Sequence, residues 1–593
     1  MCKNPDLDAP ARPNRGCVGC REKMMKKGVK TWFKINLLSI LVGITGGLGA
    51  IVFRKMIEFF HYLFFTVILN HITYQVGGVN LGIALLPALG GLVVGPIVNR
   101  VAPETKGHGV PEVLEAVTLK EGVIRSRVAA VKILVSSLTI GSGGSVGREG
   151  PIAQIGSSVG SVLGQMFSLP ESYRRLLVVC GLASGISGTF MAPLGGAVFG
   201  IEVIYSGVAA YDIIPVILSS VVGMFVTAEV FGLQPAFLLP VYHMVNPLEL
   251  LYFVPIGVLF GLIAMTWTRG LYFFEDLFDR VSLPEWLKPS IGGLLTGLLA
   301  MFFVGYGIFG TGYEGIDLAI AGELSWKILI VLGVAKFLAT GITLGSGSSG
   351  GIFAPSLYMG CMFGGALGYF LMALPFASKE LYVYAIVGMA ALFSGAAKAP
   401  LTCIIMLPEM SGNYYLLAPL MMACACSYFV STVFMEGSIY TLKLKRRGVE
   451  VDQTIDPLKL VYVEEIMTPA DQVVHVKPDT PLSVVSFMIW ETEHTGFPVI
   501  DNGRYAGMIT LESLSKVPQE KLDELKAEDI MVSGLPPIHP RHTGHYVMET
   551  MNREYEILPV LAPGDGDRLL GVVSDADVLK AIQLGKKKMR IFE

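Results

Sequence analysis

The sequence predicts an all-α polytopic membrane protein with an inverted internal repeat, followed by a cytoplasmic α/β module that carries a repeat of its own. Three observations predict it: an apolar composition, a glycine-rich segment that occurs twice, and an abrupt change to charged sequence broken by Pro and Gly from Val451 onward.

Of the 593 residues 52% are hydrophobic and only 16% charged, with a mean hydropathy of +0.59, too apolar for an ordinary soluble protein of this length. Apolar stretches recur from Trp32 to Leu442, among them 36–53, 81–98, 176–204, 253–267 and 416–434. Several approach the roughly 20 residues that a spanning helix needs. Residues 1–31 are polar and basic and show no cleavable signal, so they read as a cytoplasmic N-terminal segment. Lys23, Lys26, Lys27, Lys30 and Lys34 flank the first helix, and Lys443, Lys445, Arg446 and Arg447 follow the last. The positive-inside rule then places both ends in the cytoplasm and makes the helix count even. A net charge of −3 gives no general attraction to nucleic acid. Cys180, Cys361, Cys403, Cys424 and Cys426 lie in apolar stretches and read as small hydrophobes. Cys17 and Cys20, with Cys2 upstream, fall short of the four ligands of a structural zinc site and read as reduced thiols, so no metal is expected.

Gly141–Pro151 (GSGGSVGREGP) and Gly345–Pro355 (GSGSSGGIFAP) align without gaps at six of eleven positions, 204 residues apart (345 − 141). The offset divides the membrane region, 32–442, into halves near 32–231 and 250–442. Each copy runs into a helix-compatible stretch, 152–167 and 356–374. Glycines let the main chain approach a ligand, and a helix N-terminus adds partial positive charge, so each copy reads as half of an anion site made from backbone. Irregular backbone at membrane depth is tolerated only where it lines a cavity or is buried in protein. Close helix packing through small residues would not call for the Arg148-Glu149 pair inside lipid.

Gly147-Arg148-Glu149-Gly150-Pro151, Gly351-Ile352-Phe353-Ala354-Pro355, Gly107-His108-Gly109-Val110-Pro111-Glu112 and a late Tyr440 resemble, in order and spacing, the signature segments of the CLC family of chloride channels and proton-coupled chloride antiporters. The resemblance implies a helical homodimer with an anion pathway in each subunit and no cofactor for transport. It implies that Glu149 is the gate, a carboxylate that occupies an anion position and leaves when protonated or displaced. It implies an anion site formed by His108, Gly109, Gly147, Arg148, Gly150, the amides of Ile352 and Phe353, and the Tyr440 hydroxyl. Many family members have serine at the His108 position. Here either the imidazole donates to the anion, which would alter selectivity, or it points away and the backbone alone binds. Chloride, nitrate and other small monovalent anions all stay open as substrates.

Lys132 and Lys336, inside apolar stretches, either add positive potential to the pathway or snorkel and pair elsewhere. Tyr440 taken by itself could equally be an interfacial anchor. Family antiporters carry two successive acids after an Ala-Pro-Leu segment, whereas here Ala192-Pro193-Leu194 leads to Ile201-Glu202-Val203. Valine relays no proton, and a neighbouring residue on a helix is turned by about 100°. Position 203 thus favours a passive channel, with proton antiport as the alternative.

In the tail, Phe497-Pro-Val-Ile, a turn at Asp501-Asn502-Gly503 and YAGMITLESLSKV are echoed by Leu558-Pro-Val-Leu and LLGVVSDADVLKAI, each a strand, turn, strand and helix. With Ile466-Met-Thr-Pro and Ile530-Met-Val ahead of them, the units resemble tandem CBS domains, at 461–518 and 525–585 after a linker at 443–460. The resemblance implies an adenine nucleotide (ATP, ADP or AMP) near Thr510, Ser513, Ser574 and Asp577. Ser574 and Asp577 fit a ribose contact and a helix cap equally well. CBS pairs also accompany metalloproteases and divalent-cation channels. The His-Glu dipeptide of the metalloprotease motif is missing and no enzyme is expected; a CBS-regulated cation channel is the alternative of a different class.

Overall fold

The computed structural model describes residues 15–76, 79–205, 212–237, 239–244, 246–449, 457–492, 494–551, 555–562 and 565–589, with side chains from Trp32 onward except at 459–460, 565–567 and 586–589. The Cys2, Cys17 and Cys20 thiols and the lysines before residue 31 lie outside the described side chains. The chain divides into two compact units, Met1–Asp452 and Gln453–Glu593.

The first unit is helical, and among the described residues six helical segments are long and apolar enough to cross a membrane: 32–72, 82–100, 213–231, 247–279, 326–345 and 414–434. The remainder are shorter or more polar, as befits chain held inside protein rather than against lipid. The two glycine-rich copies meet face to face. Gly147 and Gly351 form an antiparallel bridge, with each N–H donated to the other's carbonyl at 2.7 and 2.6 Å. Since these residues are repeat equivalents, the two-fold relation between the halves passes between them. The same offset of 204 recurs in side chains: the Ser136 and Ser349 hydroxyls lie 2.9 Å apart, and their counterparts Thr340 and Ser145 lie 3.2 Å apart. The chain is thus an inverted repeat at the level of individual hydrogen bonds.

Helices begin earlier than the apolar pattern suggests, at Glu149–Met166 and Phe353–Leu371 instead of 152 and 356. Pro151 and Pro355 sit in the first turn, where a proline's missing N–H would have had no partner and its fixed φ suits the helix.

Lys132 and Lys336, also repeat equivalents, are fully buried and do not snorkel. Lys132 donates to the carbonyls of Thr105 and Gly107 at 3.0 Å each, and Lys336 to those of Gly307, Ile308 and Gly310 at 2.9–3.2 Å. Each ammonium tethers a glycine loop that leads into a short helix, Val110–Leu119 or Tyr313–Ile320.

The second unit contains two β-α modules. Strands Gly496–Asp501 and Arg504–Thr510 form one hairpin, with Asn502 and Gly503 both at positive φ in its two-residue turn. Strands Ile557–Ala562 and Asp565–Ser574 form the other. A parallel bridge repeats in each, Val476 to Val499 and Ile538 to Val560. Separate apolar clusters lie under the two modules, around Leu482, Phe497 and Ile509 in one and Val547, Leu558 and Val573 in the other.

Candidate functional site

Three helices of the membrane unit start in one place. Val110–Leu119, Glu149–Met166 and Phe353–Leu371 have Gly109, Arg148 and Ile352 before their first residues, and none of these three residues caps its own helix with a side chain. First-turn amides are therefore left for other acceptors, with partial positive charge, at a buried point. The loops leading into them are stitched together. The Gly107 N–H donates to Ser348 O at 3.1 Å and Gly350 N–H to Gly107 O at 3.2 Å, beside the Gly147–Gly351 bridge. The approach is so close that a methyl group on Gly150 would lie 2.0 Å from the His108 carbonyl oxygen. One on Gly109, which also holds a φ of +85°, would lie 2.9 Å from the Gly150 carbonyl oxygen.

Glu149 is 2% exposed. One carboxylate oxygen accepts the Ala354 N–H at 3.3 Å, at the start of the other half's helix, and the second accepts the Tyr313 hydroxyl at 3.2 Å. A carboxylate thus already stands where a helix N-terminus would hold an anion. Among the described residues, no hydrogen bond is made by the Ile352 or Phe353 amide. Arg148 forms no ion pair with Glu149; its guanidinium lies 5.1 Å from the centre of the Tyr313 ring.

The rings beyond Glu149 form a continuous wall. Phe353 meets Phe190 and Phe393 at centroid distances of 5.1 and 4.4 Å, and Tyr440 meets Phe393, Phe199 and His108 at 6.5, 6.4 and 5.8 Å. Tyr440 is buried, which does not suit an interfacial anchor, and its hydroxyl makes no hydrogen bond among the described residues. His108 is 3% exposed with both ring nitrogens unpartnered. The structure therefore brings His108, Gly109, Gly147, Glu149, Gly150, Ile352, Phe353 and Tyr440 together, and adds Tyr313, Phe190 and Phe393, which the sequence reading missed. Tyr313 follows Gly310-Thr-Gly312 much as Val110 follows Gly107-His-Gly109, so a second, fainter repeat could have found it.

Val203 is buried in the π-helical turn Gly200–Ile204. Glu202 reaches to the other half, accepting the Leu401 N–H at 3.0 Å, the Thr402 N–H at 2.7 Å and the Thr402 hydroxyl at 2.6 Å.

In the tail unit, the side chains of Ser574 and Asp577 face each other across a helix start. Asp577 accepts the Ser574 N–H at 3.0 Å and its hydroxyl at 2.8 Å, and its other oxygen meets Lys580 at 3.0 Å. Thr510 and Ser513 form the corresponding reciprocal cap at 3.1 Å in the first module.

Comparison with known proteins agrees with this geometry. A family profile described as "Voltage gated chloride channel" matches residues 90–432, and the CBS domain profile matches 463–520 and 527–584. The "H(+)/Cl(-) exchange transporter ClcA" of Yersinia pestis is 31% identical over 457 residues, covering 74% of this chain and 94% of the relative. The crystal structure of "a slow cyanobacterial Cl-/H+ antiporter" matches at 29% identity with a TM-score of 0.63, over 70% of this chain and 97% of that one. A eukaryotic CLC transporter shares the fold over 92% of this chain and 98% of its own, at 19% identity and a TM-score of 0.60. With its inverted repeat, its three converging helix starts and its paired CBS domains, the chain belongs to the CLC family of anion-transporting membrane proteins.

Proposed function

We propose that this protein exchanges chloride, or a similar small monovalent anion, for protons across the membrane, with Glu149 as the gate. The observation that carries the reading is the Glu149 carboxylate on the Ala354 amide. A side chain that occupies an anion position competes with the permeant ion, and competition ends when it takes up a proton. One group thereby links the two substrates. The unbonded Ile352 and Phe353 amides, the Tyr440 hydroxyl and the His108 ring are free to receive an anion beside it. The exchange named for the Yersinia and cyanobacterial relatives supports coupling over passive conduction.

A passive channel is the second reading, and the observation that favours it is the buried Val203 in place of an acid. Chloride-loaded proteoliposomes under voltage control, with internal pH followed, separate the two. Exchange predicts uphill proton movement driven by a chloride gradient and abolished by Glu149→Ala. Chloride flux that follows its own Nernst potential without proton movement would establish the channel.

The same reading gives a homodimer, for which the exposed apolar side chains of Ile214, Ile217, Val221 and Phe225 on one helix and of Leu401 and Met421 on two others are candidates. It places both termini in the cytoplasm and gives the CBS pair an adenine nucleotide that regulates flux through differential affinity for two transport states.

A further inference from the structure

The two glycine loops held by buried lysines do different work at their ends. Lys132 binds the Gly107 carbonyl at 3.0 Å and Lys336 the Gly310 carbonyl at 2.9 Å, and each of these glycines stands three residues before a short helix. The first loop brings backbone to the anion site through Gly109, the residue before Val110–Leu119. The second brings a side chain. Gly312, at a φ of +96° that favours glycine, turns the chain into Tyr313–Ile320, and Tyr313 leads that helix. The Tyr313 ring meets the Arg148 guanidinium, 5.1 Å from the ring centre, and the buried Phe237, at 5.9 Å between centroids. Phe237 is itself fixed by its N–H on the Met410 carbonyl at 2.9 Å. These contacts hold the body of the ring and leave its hydroxyl to donate to Glu149 at 3.2 Å.

The Ala354 amide takes the other Glu149 oxygen at 3.3 Å, so two donors from the second half grip one carboxylate. The two donors are not equivalent in a competition with chloride. An amide at a helix start serves whichever anion is present. The hydroxyl lies on a second oxygen, which a single-atom anion does not have, so its bond counts for the glutamate and against the ion. Taking Glu149 as the gate, as proposed above, we infer that Tyr313 is a positioning residue whose hydroxyl holds the carboxylate in the anion position, so that chloride must break this bond to displace the gate. A hydrogen bond to a charged acceptor is among the stronger kinds, and losing it shifts the balance between two ligands of one site. Val110, at the corresponding place in the first half, has no group to donate, so the latch exists on one side only.

The test is chloride affinity, measured by calorimetry on the full-length protein in detergent, in Tyr313→Phe, Glu149→Ala and the double variant. Tyr313→Phe keeps the ring against Arg148 and Phe237 and removes only the hydroxyl, so the fold is retained. It is expected to tighten chloride binding about tenfold, the scale of one hydrogen bond to a charged group. Glu149→Ala should tighten binding at least as much, and the double variant should bind no tighter than Glu149→Ala. An unchanged or weaker affinity in Tyr313→Phe overturns the latch, while the gate stands if Glu149→Ala still tightens binding. A gain from Tyr313→Phe that persists when residue 149 is already alanine also overturns it, because the hydroxyl then acts on the ion or on the fold. Should Glu149→Ala leave the affinity unchanged, the gate reading falls first and the latch falls with it.

Discussion

Glu202 and Glu409 cap each other's half of the protein. Glu202 accepts the amides of Leu401 and Thr402 at the start of Pro400–Ser411, and Glu409 accepts those of Leu194 and Gly195, at 3.1 and 2.7 Å, at the start of Pro193–Phe199. The two helices start 207 residues apart in sequence (400 − 193), and each glutamate stands eight residues after the leucine whose amide the other glutamate accepts. Both carboxylates sit on helix N-termini, where a charged acceptor satisfies otherwise unbonded amides and complements the dipole. Removing either cap should cost about 1–2 kcal/mol. Glu202→Ala and Glu409→Ala are expected to lower the melting temperature in detergent by similar amounts, and Glu202→Gln to leave the proton-to-chloride ratio unchanged. A ratio that collapses in Glu202→Gln would make Glu202 a proton carrier instead.

At Gly150 the prediction concerns backbone contact. Because a methyl there would meet the His108 carbonyl oxygen at 2.0 Å and the Gly351 Cα at 3.2 Å, Gly150→Ala must separate the loops that form the site. The cost should exceed the 1–3 kcal/mol typical of overpacking, since backbone and not a pliable side chain is in the way. Gly49→Ala, whose methyl would meet only the Ile155 side chain at 3.3 Å, serves as the control. We expect Gly150→Ala to lose anion flux while Gly49→Ala remains folded and active. Normal flux through Gly150→Ala would mean the loops are looser than the contact implies.

Asp577 yields a prediction in the tail. Its two oxygens are engaged by Ser574 and Lys580, so a ribose hydroxyl would have to share or displace those bonds. Asp577→Ala should destabilise the second module by about 1 kcal/mol through loss of the cap. If the carboxylate also holds ribose, ATP affinity measured by calorimetry on the full-length protein falls at least tenfold in the same variant; equal affinity leaves Asp577 a cap alone.

What the sequence disclosed and what it hid follow from the range of each interaction. The Gly141 and Gly345 segments, the Asn502-Gly503 turn and the Thr510 and Ser574 caps are local patterns, and each is read within a dozen residues. The hydroxyl of Tyr313 on Glu149, the amides of Leu194 and Gly195 on Glu409 and Lys443 on Glu112 join positions more than 150 residues apart, which no local pattern encodes. Glu409 was nevertheless within reach, because Ala-Pro-Leu followed by a glutamate eight residues on occurs at both 192 and 399. Lys132 and Lys336 were visible as charges in apolar runs, yet their work of holding glycine-loop carbonyls depends on where those loops fold.

The last prediction concerns acid. The His539 N–H donates to His542 Nδ1 at 3.2 Å, and the His542 ring lies 5.0 Å from that of His539 and 4.2 Å from that of Tyr546. The turn they form anchors the start of the CBS pair: Val463 N–H donates to His542 O at 2.9 Å, Glu464 N–H to Pro540 O at 3.0 Å and Gly544 N–H to Val461 O at 2.8 Å. Partial burial, and then the neighbouring His539, hold the His542 imidazole below its ordinary pKa of 6.5. The folded turn therefore binds a proton less tightly than the unfolded chain does. Above the ordinary value its contribution to stability is full and flat. As the pH falls through about 6.5 the unfolded state takes up the proton first, so stability is lost, and the loss continues down to the folded-state value. Calorimetry on the full-length protein should show the tail transition moving to lower temperature between pH 7.5 and 5.5. His542→Asn, whose Oδ1 can accept the same N–H without titrating, should flatten that dependence. A variant whose transition falls as steeply as the unmodified protein's would assign the acid sensitivity to other groups.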